Sequence, residues 1–282
     1  MCRLFFSITT EKNNNEPKRR LLEFFHESNK DNIKDGFGIS WLAKNKWHTI
    51  KRTTNYFSDP HIFNKIDKIN SNVIIAHNRK INNNYLSGSE LLKEKSIHNT
   101  HPISIGSDSI MHYGDLFIHD KDKDRISAYQ SFKHTPGFKN KIHEIASSLQ
   151  APIDMKGNTD SEFILSIFSC MKYTLSSQHP SMNKEDIMVN SFLQTISLIN
   201  NNKLVNRSNI FISSGDYIII SQIHINHTRI KKSDIKLYAD NDAHTFTVSS
   251  YKFSTNAKYM KNNTAFIINH KLNTVKSFDI LL

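Results

Sequence analysis

Glycine is scarce in this chain, with 8 among 282 residues, and cysteine scarcer still, with two. A glycine-rich phosphate-binding loop is missing, and so is a Gly-x-Ser-x-Gly nucleophile elbow. Two cysteines, Cys2 and Cys170, exclude a disulfide framework and fit a reducing compartment, so the expected location is cytoplasmic. Long hydrophobic runs are missing too. Arg3 is followed only by Leu4-Phe5-Phe6-Ser7-Ile8 before Thr9-Thr10-Glu11, too short for an export signal or a membrane span, and no later stretch reaches that length.

What is present points to a globular protein. With 38% hydrophobic, 22% charged and 10% aromatic residues, the chain can bury a large core, which excludes a disordered tail or a disulfide miniprotein. A single domain spanning residues 1–282 is expected. The net charge of +11 raises the question of nucleic acid, yet the lysines are scattered among asparagines and isoleucines. A phosphate-tracking surface concentrates Lys and Arg on one face with aromatics between them. The densest basic cluster, Lys18-Arg19-Arg20, reads instead as a solvated helix end, so neither nucleic acid nor membrane is an expected partner. The Asn/Lys-rich stretches 12–20, 120–125 and 200–207 read as surface loops.

Residues 3–8, 36–42 and 73–77 are predicted strands, the last fully buried because its apolar run is continuous. Helical periodicity marks 21–26, 163–173 and 187–200. From Asn209 onward the chain is strand-rich, with runs at 217–220, 245–248 and 265–268. Strands at both ends of the chain suggest stacked sheets.

The chemistry begins at Cys2. A cysteine directly after the initiator methionine can be exposed by methionine removal, and then thiol and α-amine sit on one residue. The α-amine, with a reference pKa of about 8, can take the thiol proton without a histidine partner. Position alone also fits a small apolar residue opening a strand. Further along, Arg79 in His77-Asn78-Arg79-Lys80 emerges at a strand end, where its planar fork suits a carboxylate. Asn99-Thr100-His101-Pro102 follows, then Met111-His112-Tyr113-Gly114-Asp115-Leu116, which reads as a glycine turn between apolar runs. In Gly157-Asn158-Thr159-Asp160-Ser161-Glu162, Thr159-x-x-Glu162 ahead of an apolar run is a helix capping box, and Asp160 in its first turn can point a carboxylate at a ligand amine. His98-x-x-His101 and His224-x-x-His227 lack the carboxylate or cysteine partners of a metal site, and Cys170 reads as a core residue.

Six pieces in order carry a family resemblance: Met1-Cys2-Arg3-Leu4, Asp35-Gly36-Phe37-Gly38-Ile39-Ser40-Trp41, Ala76-His77-Asn78-Arg79, Asn99-Thr100-His101-Pro102, His112-x-Gly114 and Gly157-x-Thr159-Asp160-Ser161-Glu162. Together they resemble the class II glutamine amidotransferases of the N-terminal-nucleophile (Ntn) hydrolase superfamily, in particular the YafJ-like group that includes a γ-glutamyl hydrolase of ergothioneine biosynthesis and a glutathione-degrading amidotransferase-like subunit. The resemblance implies an α+β fold, a four-layer αββα sandwich of two stacked antiparallel sheets, with Cys2 at the mouth between them. It implies that Cys2 attacks the amide of glutamine or another γ-glutamyl compound, that Arg79 holds the substrate α-carboxylate and Asp160 its α-ammonium, and that His101 lines the same pocket. Gly114 matches the backbone donor of the family's Asn-Gly oxyanion pair, whereas Tyr113 stands where the asparagine would be. Ile103 and Lys80-Ile81-Asn82 also depart from the usual pattern. No cofactor and no metal are implied, and ammonia transfer would need a separate synthase or peptidase subunit. Because Tyr113 replaces an oxyanion donor, the alternative is a catalytically impaired γ-glutamyl-binding or regulatory subunit of the same fold.

Overall fold

Leu4, Phe6 and Ile8 alternate with Phe5 along β1 (Arg3–Thr9), and both faces of the strand are buried, as in the middle of a layered fold. The computed structural model describes residues 2–11, 15–58, 60–81, 88–119, 129–131, 144, 147, 156–157, 159–201, 204–224 and 236–281. Around β1 run β2 (Phe37–Ala43), β3 (Lys46–Arg52), β4 (Val73–Asn78), β10 (Tyr238–Asn241), β11 (Thr245–Ser249) and β12 (Lys258–Tyr259), in the order β12-β10-β11-β1-β4-β2-β3. The second sheet has the order β14-β13-β9-β8-β6-β5. Its strands are β5 (Ile103–Ile105), β6 (Asp108–His119), β8 (Leu204–Ser214), β9 (Tyr217–His224), β13 (Thr264–Asn269) and β14 (Thr274–Asp279), with β7 (Tyr129–Ser131) pairing β6. Every pairing in both sheets is antiparallel.

Three apolar layers separate four layers of structure. Leu4, Phe6 and Ile75 of the first sheet meet Phe211, Ile220 and Ile268 of the second in the middle layer. On the outer face of the first sheet, Phe5 and Ile74 pack under α1 (Glu16–Lys30) and α2 (Pro60–Asp67). On the outer face of the second, Ile210 and Ile212 pack under α4 (Asp160–Gln178) and α5 (Lys184–Asn201). A short α3 (Gly88–Glu94) follows β4. The protein is therefore an α+β sandwich of two stacked antiparallel sheets flanked by helices, the αββα arrangement expected from the sequence. Among the described residues no helix is long and apolar enough to cross a membrane.

Several local expectations need correction. The polar stretch expected as a loop over 12–20 enters α1 at Glu16, with Pro17 in the first turn, where its missing N–H costs nothing. Arg20 is not a solvated helix end either. It is buried, 2.8 Å from the equally buried Asp240 and 2.7 Å from Glu16, and it also reaches Asp242. Gly114 is not a turn. β6 runs straight through it, with Tyr113 opposite Asn209, Gly114 opposite Ser208 and Asp115 opposite Arg207 on β8. Gly114 has φ +148°, which a side chain would strain, so glycine lets the strand continue. Within the expected loop at 200–207, residues 200–201 end α5 and 204–207 begin β8, while 202–203 and 120–125 lie outside the described residues.

Candidate active site

Even-numbered residues of β1 face the layer between the sheets, and Cys2, one step before the strand, packs against that layer and is partly exposed. The β1–β4 ladder ends with Arg3 opposite Asn78, so the next step sets Cys2 opposite Arg79. The Cys2 sulfur accepts from the Lys80 N–H at 3.4 Å, and the thiol points at the Lys80 carbonyl oxygen at 3.6 Å. A backbone donor at that distance can steady negative charge on sulfur. The segment carrying Arg79 is pinned to the chain ahead of β2: Arg79 N–H donates to the Gly36 carbonyl, Asp35 N–H to the Arg79 carbonyl, and Ile81 N–H to the Asp35 carboxylate at 2.9 Å.

Arg79 is buried beside Cys2, but it already has a carboxylate partner. Its Nη2 donates to Glu94 Oε2 at 2.8 Å, and Nη1 donates to the Glu94 carbonyl oxygen. Glu94, at the end of α3, is buried as well. A guanidinium has five N–H groups, so this pairing commits two of them. Nothing in the sequence marks Glu94 as the partner, because the pairing spans a helix whose placement is tertiary.

The His77 and His101 rings are in contact, their centroids 4.3 Å apart and their planes tilted by 46°. His77 Nε2 lies 3.2 Å from the His112 carbonyl oxygen, so that nitrogen carries the proton and ties the first sheet to β6. His77 Nδ1 and both ring nitrogens of His101 are buried without a partner. Burial, with Arg79 and His112 nearby, pushes His77 down to about 3. Burial, with His77, His112, Arg79 and Lys51 nearby, puts His101 well below the usual histidine range. Both rings are neutral at physiological pH. The loop bearing His101 is held by Lys51, whose ammonium donates to the Thr100 and Pro102 carbonyls at 3.0 Å each. It also presses onto β2, where a Cβ on Gly38 would lie 1.9 Å from the His101 carbonyl oxygen. That contact accounts for the glycine in Phe37-Gly38-Ile39.

Across the layer, Met111 and Tyr113 point inward from β6. Tyr113 is buried in the inter-sheet core, and the Arg3 guanidinium lies 6.0 Å from its ring centroid. His112 points to the helix side, with Nδ1 2.9 Å from Ser161 Oγ and Nε2 2.7 Å from Ser208 Oγ. Asp160 lies on that helix side too. It accepts the Leu116 N–H at 2.9 Å and the Ser161 N–H at 2.9 Å, so it fastens the start of α4 to β6 just past Gly114. Thr159 caps α4 by accepting the Glu162 N–H at 3.1 Å. The Glu162 carboxylate binds the Lys156 and Gly157 N–H groups, which anchors the approach to the helix. Cys170, further along α4, is buried, and burial pushes its thiol up. His98 is exposed while His101 is buried, and among the described residues no cluster of three or more His, Cys, Asp or Glu side chains could hold a metal ion.

Cys2 and Arg79 thus lie opposite each other at one end of the first sheet, the His77 and His101 rings lie together with His77 bonded to the His112 carbonyl of β6, Tyr113 lines the inter-sheet layer, and Asp160 lies on the helix side of β6. No family model matches the chain. No curated protein matches it either. Its fold is shared with solved structures. A glutamine aminotransferase class-II domain protein from Silicibacter pomeroyi aligns over all of both chains, with a TM-score of 0.58 and 14% identity. The glutamine phosphoribosylpyrophosphate amidotransferase of B. subtilis, complexed with ADP and GMP, aligns over all of this chain and 50% of its own, with a TM-score of 0.60 and 13% identity. An allosteric regulatory enzyme of purine biosynthesis aligns over all of this chain and 49% of its own, with a TM-score of 0.61 and 13% identity. At 13–14% identity the likeness is one of fold, the αββα sandwich. This chain spans about half the length of the two larger structures.

Proposed function

We propose that this protein is an Ntn-type amide hydrolase that cleaves the γ-glutamyl amide of glutamine or a related γ-glutamyl compound. The observation that carries the proposal is the placement of Cys2. Its partly exposed sulfur sits at the end of the inter-sheet layer, beside the Lys80 backbone N–H and opposite Arg79, packed against the cluster that Met111 and Tyr113 of β6 complete. After removal of Met1, the freed α-amine takes the thiol proton and the sulfur attacks the amide carbonyl. The carbonyl oxygen gains negative charge and needs hydrogen-bond donors beside Cys2 to meet it. Collapse of the tetrahedral species breaks the C–N bond, and the protonated α-amine returns its proton to the leaving amine. Water then attacks the thioester, releasing glutamate and restoring the thiol.

Arg79 is the group suited to the substrate α-carboxylate, and the ligand must share it with Glu94 or displace that side chain. His101 is proposed to complete the recognition of the amino-acid end, and Asp160 to take the α-ammonium, for which its carboxylate must leave its present backbone partners, the Leu116 and Ser161 N–H groups. Free hydrolysis needs no second chain, whereas transfer of the released ammonia requires a separate synthase or peptidase subunit. The competing reading, a γ-glutamyl-binding subunit with little turnover, is favoured by one observation: the bulky, buried Tyr113 at the position of the oxyanion amide. Glutamate release from glutamine and from γ-glutamyl peptides separates the two. Release by the wild type that is lost in Cys2→Ala is the expected result. Binding without release identifies the non-catalytic subunit.

A further inference from the structure

We propose that Asn209 supplies the side-chain amide that binds the substrate carbonyl oxygen and the negative charge it develops, taking the place that Tyr113 leaves without a donor. Asn209 lies on β8, two residues before Phe211, and therefore points with Phe211 into the layer between the sheets. It is directly opposite Tyr113 on β6, next to the Gly114–Ser208 pair.

Asn209 is fully buried, yet neither its Nδ2 nor its Oδ1 has a hydrogen-bond partner. Its neighbour on the next strand provides the contrast. Gln222, opposite Asn209 on β9, is equally buried and uses its whole amide: the two N–H groups on Nε2 have three acceptors within reach, Tyr259 Oη, Met260 O and Asn262 Oδ1, and Oε1 accepts the Leu237 N–H at 2.8 Å. A buried amide left wholly unsatisfied destabilises a fold, and native proteins keep such groups mainly where they serve a ligand, a water or a reaction. Trp47 Nε1 and His270 Nδ1 also lack partners but lie together elsewhere on this layer, whereas the His77 and His101 nitrogens lie near Tyr113. His77 Nδ1 belongs to the ring bonded to the His112 carbonyl, one residue before Tyr113, and the His101 ring lies against that ring. An amide ligand suits this set, because its carbonyl oxygen can accept from Asn209 Nδ2 while its N–H can donate to Asn209 Oδ1 or to a neutral imidazole nitrogen. Donors aimed at the charge that develops on oxygen act mainly in the transition state.

The inference rests on the hydrolase reading above, and its test keeps the two apart. Glutamate release is measured for the wild type, Cys2→Ala, Asn209→Ala and the similarly sized Asn209→Leu, with folding checked by circular dichroism. The expected result is a fall in kcat of about 10²–10³-fold in both Asn209 variants with KM within about threefold. Asn209→Leu should also melt no lower than the wild type, because it removes an unsatisfied polar group without leaving a cavity. Wild-type kcat in either folded variant, or a raised KM at unchanged kcat, would overturn the role of Asn209 while leaving the hydrolase reading intact. A wild type that releases no more glutamate than Cys2→Ala would overturn both.

Discussion

Tyr113→Asn is expected to lower stability by about 3–5 kcal/mol, the range for removing a large buried aromatic, and to raise kcat by no more than about threefold. The ring is buried in the inter-sheet layer beside the Arg3 guanidinium, so asparagine would leave a cavity and a second polar group in an apolar neighbourhood. The opposite outcome has a clear physical basis. If the oxyanion amide belongs at position 113, restoring it would raise kcat by up to roughly 10² at nearly constant KM. Urea denaturation together with glutamate release from both proteins decides. A stable, faster variant would contradict the assignment of the amide to Asn209 and show Tyr113 to be a defect.

Acid should unfold this protein early, through His77 and His101. Both are buried neutral, and their pKa values are lowered in the folded state, His77 to about 3. Above the unfolded value near 6.5 both states carry neutral rings, and the native state loses nothing. As pH falls from 6.5 toward the folded values, the unfolded chain takes up protons that the native chain refuses, so stability declines. Each ring contributes up to about 1.4 kcal/mol per pH unit, so the pair removes about 4 kcal/mol between neutral pH and pH 5. That is a large part of a typical domain's total of about 5–15 kcal/mol. Glu16, held down to about 2 by its hydrogen bonds to Arg19 and Arg20, stays charged in the folded protein throughout this window. Denaturation midpoints at pH 7 and pH 5 measure the loss, and His101→Gln should roughly halve it. An unchanged midpoint would show that the rings are protonated or hydrated in the folded protein.

The architecture was legible because its main strands are apolar on both faces. The buried run at 73–77 and the alternating run at 3–8 needed only local pattern to be recognised, and the two long helices announced themselves by their periodicity. Elements held by distant partners were not legible. The first turn of α1 looked like a charged loop because Arg20 finds Asp240 and Asp242 more than 200 residues away. β3 is exposed along much of its length and carries no alternation strong enough to read. For the proposed site, the motifs singled out Cys2, Arg79, His101, Tyr113, Gly114 and Asp160, but not what each one touches. Glu94 left no local signal. Asn209 did leave one, a lone amide ahead of the apolar run Ile210-Phe211-Ile212, and its meaning emerged only when the strand pairing set it opposite Tyr113.

Everything proposed about chemistry depends on Cys2 acting as a nucleophile at the start of the mature chain. Incubation with a glutamine-derived electrophile such as diazo-oxonorleucine, followed by intact and peptide mass measurement, tests that directly. The expected product lacks Met1 and carries a single adduct on Cys2, with none on the buried Cys170. Modification of Cys170, or an active protein that retains Met1, would contradict the account.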